Sequence, residues 1–450
     1  MINITDSFIE DIVSLSRKEI PEDILHHAKR CLIDYLGAAY AGSFFAKEKV
    51  ATLFDEIGGD DGSSPVVGCN LKTSLFGAAL INGIVSHTAE LDDGVISGIV
   101  HPGTPLFSAL LPYAKYKDIS GEEFLRGIVI GYEVCVRLSE AIQPSHKLIG
   151  YHGTATCGGI GATVGIMVMI GASVEKIKDA LSAAIVSAGG TLKALEGNSQ
   201  LKPYNSGHAA ASAIAAVGMA NSGFSGPADV LTGQFGFFEM LSNSYNLDKL
   251  FSDKRSENYA IERVYFKPYG ACRYCHAPMD ATLAIIENNS LKVSSVISIH
   301  VETYKLAVSG HDHTIVNNVS SAKMSIPFSV AQLLVIGNFG PLGFTSDSIS
   351  NKDILELAGK INVSANEKFT SLFPSQSAAT VTISTDNNKT FSETVYYPKG
   401  EPELPLTDME VNEKYRALAD FSSQNEIESQ EILNAAWSLP GSVKKLYELL

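Results

Sequence analysis

The feature that most limits how this chain can fold is a stretch without any charged residue, from Gly153 to Val174. It is long enough to cross a membrane, but Gly, Ala and Thr are common where a membrane span would carry Leu and Phe. The stretch also lies in the middle of the chain, follows His152, and has no partner span or basic flank. We therefore predict a helix that is buried on all sides in a large core.

The composition is that of a large, well-buried protein. Of 450 residues, 45% are hydrophobic and 18% are charged, which excludes a disordered chain and predicts two or three domains. The formal net charge of −15 argues against nucleic acid and anionic membranes as partners. The N-terminal residues lack the basic region of a secretory signal, and six Cys residues are too few for a disulfide scaffold. We expect a cytoplasmic protein with free thiols.

The periodicity of apolar residues changes along the chain. Up to about residue 250 it predicts helices at 9–16, 21–41, 74–91, 105–116, 121–141, 154–170, 174–195 and 206–220. After residue 260 it predicts strands at 293–303, 378–385 and 390–396, and helices at 277–288, 327–336, 350–360, 408–423, 426–435 and 443–449. This order predicts a mainly α fold, with a large all-helical domain formed by residues 1–264 and 404–450 and an inserted α+β domain at 265–403.

Three carboxylates, of Glu90, Asp92 and Asp93, lie close together between His87 and His101. Carboxylates this close repel one another and raise a pKa unless cations or hydrogen bonds compensate. A solvated acidic loop is the simpler interpretation. Because apolar helical segments and two histidines frame the cluster, we favour a functional site.

Positive charge comes from two other stretches. Lys202 precedes a proline that predicts an extended turn before a Gly/Ala-rich helix, so its amine would lie near a helix N-terminus, which attracts anions. Lys267 and Arg273 precede a further helix, together with a thiol and an imidazole. Each lysine alone would be interpreted as a surface residue, but together with His152 these cations suggest a clamp for a small polycarboxylate.

Two shorter motifs are weaker signals. Cys272 and Cys275 have the spacing of a metal or redox pair, but no second such pair follows, so a structural or thiol-base role is favoured. The two histidines of His311-Asp-His313 would face one metal only in a strand, and a solvated loop is favoured. The sequence contains no phosphate loop, nucleophile elbow or zinc helix of the common kinds.

Stretches along nearly the whole chain resemble the MmgE/PrpD family. They are, in order, HTAELDDG with HPG, GYEVCVRL, YHGTATCGGIGA, EGNSQLKPYNSGHAAASA, GFSGPADVLTGQFGFF and KPYGACRYCHAPMDA. The resemblance implies a helical domain formed by both chain ends, an α+β lid, a homodimer, and an active site in the cleft between domain and lid. It also implies that the protein uses no metal or organic cofactor.

The resemblance further implies roles for single residues. The family's acidic motif falls on Glu90, Asp92 and Asp93, its HP motif on His101, its helix-start histidine on His152, its two lysines on Lys202 and Lys267, and its lid tyrosine on Tyr304. The residues predicted to bind substrate are Glu90, Asp92, Asp93, Lys202, Lys267 and Arg273. The residues predicted to move protons are His101, His152, Cys272, His276 and Tyr304.

The resemblance implies a lyase or isomerase for a small polycarboxylate. We predict elimination of water from a 2-methylcitrate-like acid, started by His101 or His152 removing a proton next to a carboxylate. Epimerisation of an iminodisuccinate-like substrate is the second hypothesis, and decarboxylation of cis-aconitate is a further one. Cys272 stands where decarboxylase members carry a histidine, and Gly94 where they carry a threonine, which argues against decarboxylation.

Two other classes compete with this interpretation. A helical binding protein would leave the histidines and lysines beside Pro and Gly turns unexplained. A metal-dependent hydratase would need an iron centre held by cysteine thiolates, and only two of the six cysteines are close in sequence.

Overall fold

A computed structural model describes residues 3–59, 62–196, 199–251, 259–289, 291–337, 340–422 and 425–450. The chain divides into two units. The first comprises Met1–Glu196, Leu201–Val264 and Thr407–Leu450, and the second comprises Gly197–Gln200 and Tyr265–Leu406.

Helices make up most of the first 264 residues. They are α1 (Ile4–Ser16), α2 (Glu22–Phe45), α3 (Lys47–Glu56), α4 (Leu75–Thr88), α5 (Gly103–Lys117), α6 (Gly121–Ile142), α7 (Ser145–Leu148), α8 (Gly153–Met169), α9 (Val174–Val186), α10 (Lys202–Asn221) and α11 (Phe237–Leu241). The short strands β1 (Ser64–Pro65) and β2 (Lys72–Thr73) pair antiparallel. Side chains that cap the first turn begin several helices: Ser74 accepts a bond from the N–H of Gly77 at α4, and Ser120 forms a capping box with Glu123 at α6.

The second unit combines a small sheet with short helices. The helices are α12 (His276–Asn288), α13 (Lys305–Val308), α14 (Val319–Lys323), α15 (Ile326–Ile336), α16 (Ser346–Ser350), α17 (Lys352–Ala358) and α18 (Glu367–Leu372), and the strands are β3 (Val296–Thr303), β4 (Ile361–Ala365), β5 (Ala379–Thr385) and β6 (Thr390–Val395). The strand order is β4-β3-β5-β6, with β4 parallel to β3 and the other pairs antiparallel. Helix α12 packs on β5 and β6, and α15 packs on β4.

The last residues return to the first unit as α19 (Asp408–Phe421), α20 (Glu426–Trp437) and α21 (Val443–Leu449). There α19 packs against α2, and α21 packs against α5. The mainly α fold class with a smaller α+β part is thereby confirmed. The sequence placed the α+β segment at 265–403, and the second unit of the structure runs from Tyr265 to Leu406.

Most of the charge-free stretch, Gly153–Met169, forms α8, which lies inside the first unit. Every residue of α8 except Val168 is buried, and α5, α6, α9 and α10 pack against it. At Gly161 an added Cβ would lie 2.6 Å from Cys135 Cβ on α6, so only glycine allows this approach. The small residues that lower helix propensity therefore allow close packing, and the buried helix is confirmed. Within the described ranges, no helix combines the length and apolar character needed to span a membrane.

Several predicted element boundaries were wrong. The helix predicted at 174–195 ends at Val186, and Gly190, with a φ of 121°, separates it from a 3-10 helix at Leu192–Leu195. The helix predicted at 206–220 begins at Lys202, because a proline in the first turn sacrifices no helical hydrogen bond. The helix predicted at 350–360 is α17, which is shorter than predicted at both ends; α16 precedes it and β4 follows it, and neither was predicted. The helix predicted at 408–423 ends at Phe421, and residue 423 lies outside the described residues.

Candidate functional site

The histidines and the lysine singled out in the first unit lie at the ends of four helices. His87 is in the last turn of α4, His101 stands two residues before α5, His152 is the N-cap of α8, and Lys202 is the first residue of α10. Helix α10 packs against α4, α5 and α8. The rings of His101 and His152 lie 5.1 Å and 5.8 Å from the ring of His87. We refer to these four residues as the histidine cluster.

A contact between two glycines brings the helix of Lys202 against the helix of His87. An added Cβ at Gly207 on α10 would lie 2.4 Å from the carbonyl oxygen of Leu80, and one at Gly83 on α4 would lie 2.7 Å from Gly207 Cα. Both positions therefore require glycine. The approach positions Lys202 beside Glu90, with which it forms an ion pair.

The loop between α4 and α5 has a strained backbone that contacts elsewhere hold in place. Glu90 and Ile99 have φ angles of 58° and 48°, a region that residues other than glycine rarely adopt. Lys414 on α19 donates to the carbonyl of Leu91 and to Oδ1 of Asp34, both at 2.6 Å. Strain of this kind persists only where surrounding contacts impose it, and it is common at functional sites.

The hydrogen bonds of His101 fix which ring nitrogen carries the proton. Its Nδ1 lies 2.6 Å from the carbonyl oxygen of Asp93 and 3.3 Å from Oδ2 of Asp92. Because a carbonyl oxygen only accepts, Nδ1 donates, and a neutral His101 has its lone pair on Nε2. Asp92 Oδ2 also lies 2.7 Å from Nδ1 of His87. One buried carboxylate therefore orients two imidazoles and would stabilise the charged form of His101.

His152 is held in its neutral form. Burial, and after it the nearby His87 and Lys202, lower the pKa of His152 well below its usual value. The side-chain amide of Asn205 lies 3.2 Å from His152 Nδ1 and can donate to it, which places the ring proton on Nε2. At neutral pH His152 is thus a hydrogen-bond donor at Nε2, and His101 is the better base of the two predicted.

The carboxyl group of Asp93 lies in the core between α5 and α6. It accepts from the hydroxyl of Tyr132 at 2.5 Å and from the N–H of Gly103 at 2.9 Å. Burial raises the pKa of Asp93 to about 7. Because its carbonyl holds His101 and its carboxyl group bonds to protein donors, the geometry favours a positioning role over the predicted substrate contact. Glu90 pairs with Lys202, and Asp92 pairs with His87 and His101. The geometry therefore favours a positioning role for these two carboxylates as well.

In the second unit, protein acceptors occupy the guanidinium of Arg273. Its five N–H groups donate twice to Glu401, to the carbonyls of Pro398 and Lys399, and to Nδ1 of His276. The other ring nitrogen of His276 donates to a backbone carbonyl at 3.2 Å. These bonds favour a structural role for both side chains over the predicted roles in substrate binding and proton transfer.

The remaining predicted residues of the second unit are buried or partly buried. Lys267 is fully buried, and Tyr304 stacks on Phe373 with ring centroids 4.4 Å apart. Cys272 is partly exposed, and its Sγ lies 3.4 Å from Nε2 of His311. The segment of His311 is a loop, as predicted, but the expectation that it is solvated was wrong for His311, which is buried. Among the described residues, no group of three or more His, Cys, Asp or Glu side chains could hold a metal ion.

Some residues of these sites were missed by sequence reasoning. Tyr132 and Asn205 lie inside motifs quoted above, so a polar side chain within an apolar helix could have indicated them. Lys414 gives no local signal, because its partner Leu91 is 323 residues away.

The histidine cluster combines oriented imidazoles, a paired lysine and the starts of three helices. Such a site is suited to acid/base chemistry on an anionic ligand. The chain belongs to the MmgE/PrpD family. The model of the MmgE/PrpD N-terminal domain matches residues 7–249, and that of the MmgE/PrpD C-terminal domain matches residues 269–439. The family resemblance inferred from the motifs is thereby confirmed.

Curated relatives extend along most of the chain. A cis-aconitate decarboxylase of Aspergillus terreus is 24% identical over 454 residues, covering 92% of this chain and 90% of the relative. A cis-aconitate decarboxylase of Homo sapiens is 24% identical over 441 residues, covering 93% and 88%. The cis-aconitate decarboxylase-like protein oryM of Aspergillus oryzae is 24% identical over 469 residues, covering 98% and 95%. These names match the decarboxylase hypothesis, which Cys272 and Gly94 argued against at the level of sequence, and dehydration stays a prediction.

Proposed function

We propose that this chain is a lyase for a small aliphatic polycarboxylate, with decarboxylation of a cis-aconitate-like acid as the first candidate reaction. The observation that carries the proposal is the orientation of His101, whose Nδ1 is held by Asp92 and by the backbone of Asp93 in the same cluster as Lys202. The names of the three relatives, each matched along at least 88% of its length, support the type of reaction.

The histidine cluster has several groups that attract a polycarboxylate. Lys202 provides a full positive charge, and α5, α8 and α10, of 15, 17 and 20 residues, all begin there with N–H groups and the positive ends of their dipoles. The Nε2–H of His152 adds a neutral donor. Glu90 balances Lys202, and a substrate carboxylate would compete with it for the amine.

The proposed chemistry uses His101 as the proton carrier. When CO2 leaves a carbon next to a double bond, the electron pair moves through the double bond, and the far carbon must receive a proton. Protonated His101 would deliver that proton from Nε2, while Asp92 stabilises the charged ring. Neutral His101 would instead remove a proton if water is eliminated, so dehydration of a 2-methylcitrate-like acid is the second candidate. A homodimer, a cytoplasmic location and independence from a cofactor stay predictions.

Proton NMR of the chelator-treated protein in D2O tests the proposal, with cis-aconitate, methylcitrate, citrate and iminodisuccinate as substrates. Decarboxylation predicts a product that has lost CO2 and gained one deuterium on carbon. An olefinic product from methylcitrate would show dehydration instead, and inversion or exchange alone would show an epimerase. A folded protein that changes none of the four acids would overturn the proposal.

Two histidine variants provide the matched comparison. His101→Gln should reduce turnover by about 10²–10⁴-fold, the usual contribution of a positioned acid or base. His208→Gln changes a histidine of α10 that lies beside Tyr204, outside the cluster, and should leave turnover unchanged. Equal activity of the two variants would exclude His101 as the proton carrier.

A further inference from the structure

A strained turn at the end of α4 brings Asp92 back against His87. His87 lies in the last turn of the helix, and three residues later the chain turns at Glu90, which has a left-handed φ of 58°. Oδ2 of Asp92 then lies 2.7 Å from Nδ1 of His87, and both side chains are buried. Because an ionised carboxylate only accepts hydrogen bonds, Nδ1 of His87 carries a proton and donates.

The other ring nitrogen of His87 makes no such contact. Nε2 is buried, and none of the described residues forms a hydrogen bond with it. An uncharged ring leaves a lone pair unmatched there, whereas a charged ring would leave an N–H group without an acceptor, at a higher cost in free energy. At neutral pH the geometry therefore favours the uncharged ring. In this state His87 contributes one hydrogen-bond donor to the site, and Asp92 receives it.

His87 and His101 share one oxygen of Asp92. Oδ2 lies 2.7 Å from Nδ1 of His87 and 3.3 Å from Nδ1 of His101, so His87 makes the shorter contact. A hydrogen bond donated to a carboxylate favours its charged form and weakens its attraction for a further proton. Without this bond, the Asp92–His101 pair, which titrates as a unit, would take up a proton more readily. The proton would reside on His101, since imidazole is the stronger base.

The other charged and titratable groups around the pair are engaged elsewhere. They are Asp34 on α2, Glu90 and Asp93 in the loop, His152 on α8, Lys202 on α10 and Lys414 on α19. Glu90 pairs with Lys202, Asp34 pairs with Lys414, and Asp93 accepts from Tyr132 on α6. On α5, residues 103–112 carry no titratable side chain. Within the described ranges, none of the six groups forms a hydrogen bond with His87, so His87 acts on His101 through Asp92.

We propose that His87 is a positioning residue that keeps Asp92 charged and thereby sets the pH at which His101 takes up its proton. His87 itself transfers no proton and needs no contact with the substrate. Its effect on His101 is measured without any ligand. Its effect on turnover rests on the proposed function, in which His101 is the proton carrier.

NMR of histidine-labelled protein from pH 5 to 9 tests this role. The ring resonance of His101 is assigned by its loss in His101→Gln, and its midpoint gives the pH of proton uptake. His87→Phe keeps a ring but removes the donor, and should raise the midpoint by about one pH unit. His87→Asn keeps a donor in the place of Nδ1 and should hold the wild-type midpoint. An unchanged or lower midpoint in His87→Phe, or the same rise in both variants, would overturn the proposal.

A double variant shows whether the effect runs through Asp92. Asp92→Asn removes the charge, and adding His87→Phe to it should move the His101 midpoint no further. A further rise of about one pH unit would show a direct effect of the His87 ring and would count against the proposal. If His87→Phe does not fold, His87→Leu also removes the donor and replaces it in both comparisons.

Turnover connects this role with the reaction. The limb of the kcat/KM profile that depends on His101 should move to higher pH in His87→Phe and stay in place in His87→Asn. If the midpoints behave as expected but none of the four acids is converted, the proposed function fails and the role of His87 stands. If an acid is converted and the midpoint does not rise in His87→Phe, the proposed function stands and the role of His87 fails.

Discussion

The buried ion pair of Lys414 and Asp34 leads to a sharp prediction about stability. The two side chains are 5% and 0% exposed, and the Lys414 amine also donates to the carbonyl of Leu91 in the strained loop. Removing one partner of a buried ion pair typically costs about 3–5 kcal/mol, because the other charge stays buried. Lys414→Met should therefore lower the free energy of unfolding by about that amount.

A second variant separates the charge from the rest of the contact. In Asp34→Asn combined with Lys414→Met the buried carboxylate is gone, and the carbonyl of Leu91 is the main group deprived of its donor. An unsatisfied buried carbonyl costs about 1–3 kcal/mol, so the double variant should be more stable than Lys414→Met alone. The order of the two free energies of unfolding tests the role of the charge, and the size of the Lys414→Met loss tests the burial of the pair.

Urea unfolding followed by tryptophan fluorescence measures both values. The chain has a single tryptophan, Trp437, which lies in α20, so its signal reports on the first unit. Steady-state kinetics of the same variants should show a fall in kcat, since displacing a site by about 1 Å can cost about 10²-fold. A loss below about 1 kcal/mol for Lys414→Met, or equal losses for the two variants, would refute the reasoning.

Three other perturbations have defined outcomes. Because burial raises the pKa of Asp93 from 3.8 to about 7, the folded state binds an extra proton between those values. The Asp93 contribution to the free energy of unfolding therefore falls as pH rises through this window, and urea titrations of Asp93→Asn should show a flatter pH dependence. Gly207→Ala places a Cβ 2.4 Å from a backbone carbonyl and should lose about 1–3 kcal/mol in thermal or urea unfolding. Gly218→Ala on the same helix meets nothing within 4 Å and should be neutral or stabilising. Lys202→Met should lower kcat/KM about 10–100-fold, whereas Lys193→Met, at an exposed ion pair, should not.

The sequence was sufficient for the larger elements of the fold, where local pattern and burial agree. The charge-free composition of α8 predicts a helix surrounded by others, and alternation predicts β3, β5 and β6. Strand β4 was missed because it is short and lies at the sheet edge, where one pairing with β3 decides its conformation. Helix ends were misplaced where the decisive residue, such as Gly190, acts through its backbone angle.

The site could be predicted from sequence only as a set of residue types. His101, His152 and Lys202 were indicated by motifs, and the structure brings them together with His87. Their protonation states depend on contacts from other elements, such as Asn205 on His152, and these are invisible in a linear sequence. For the same reason sequence reasoning could not separate His276, which bonds to Arg273, from a group that transfers protons.

The contact of Lys414 with the loop at Leu91 also has a consequence for how the protein is made. The two residues are 323 positions apart, so at about 5–20 residues per second the ribosome adds Lys414 roughly 16–65 s after Leu91. Once the chain has been synthesised to the end of α10 at Asn221, His87, His101, His152 and Lys202 are all present, but until Lys414 is added the nascent chain lacks the amine that holds the loop. Acquisition of activity during translation should therefore wait for α19 to leave the exit tunnel.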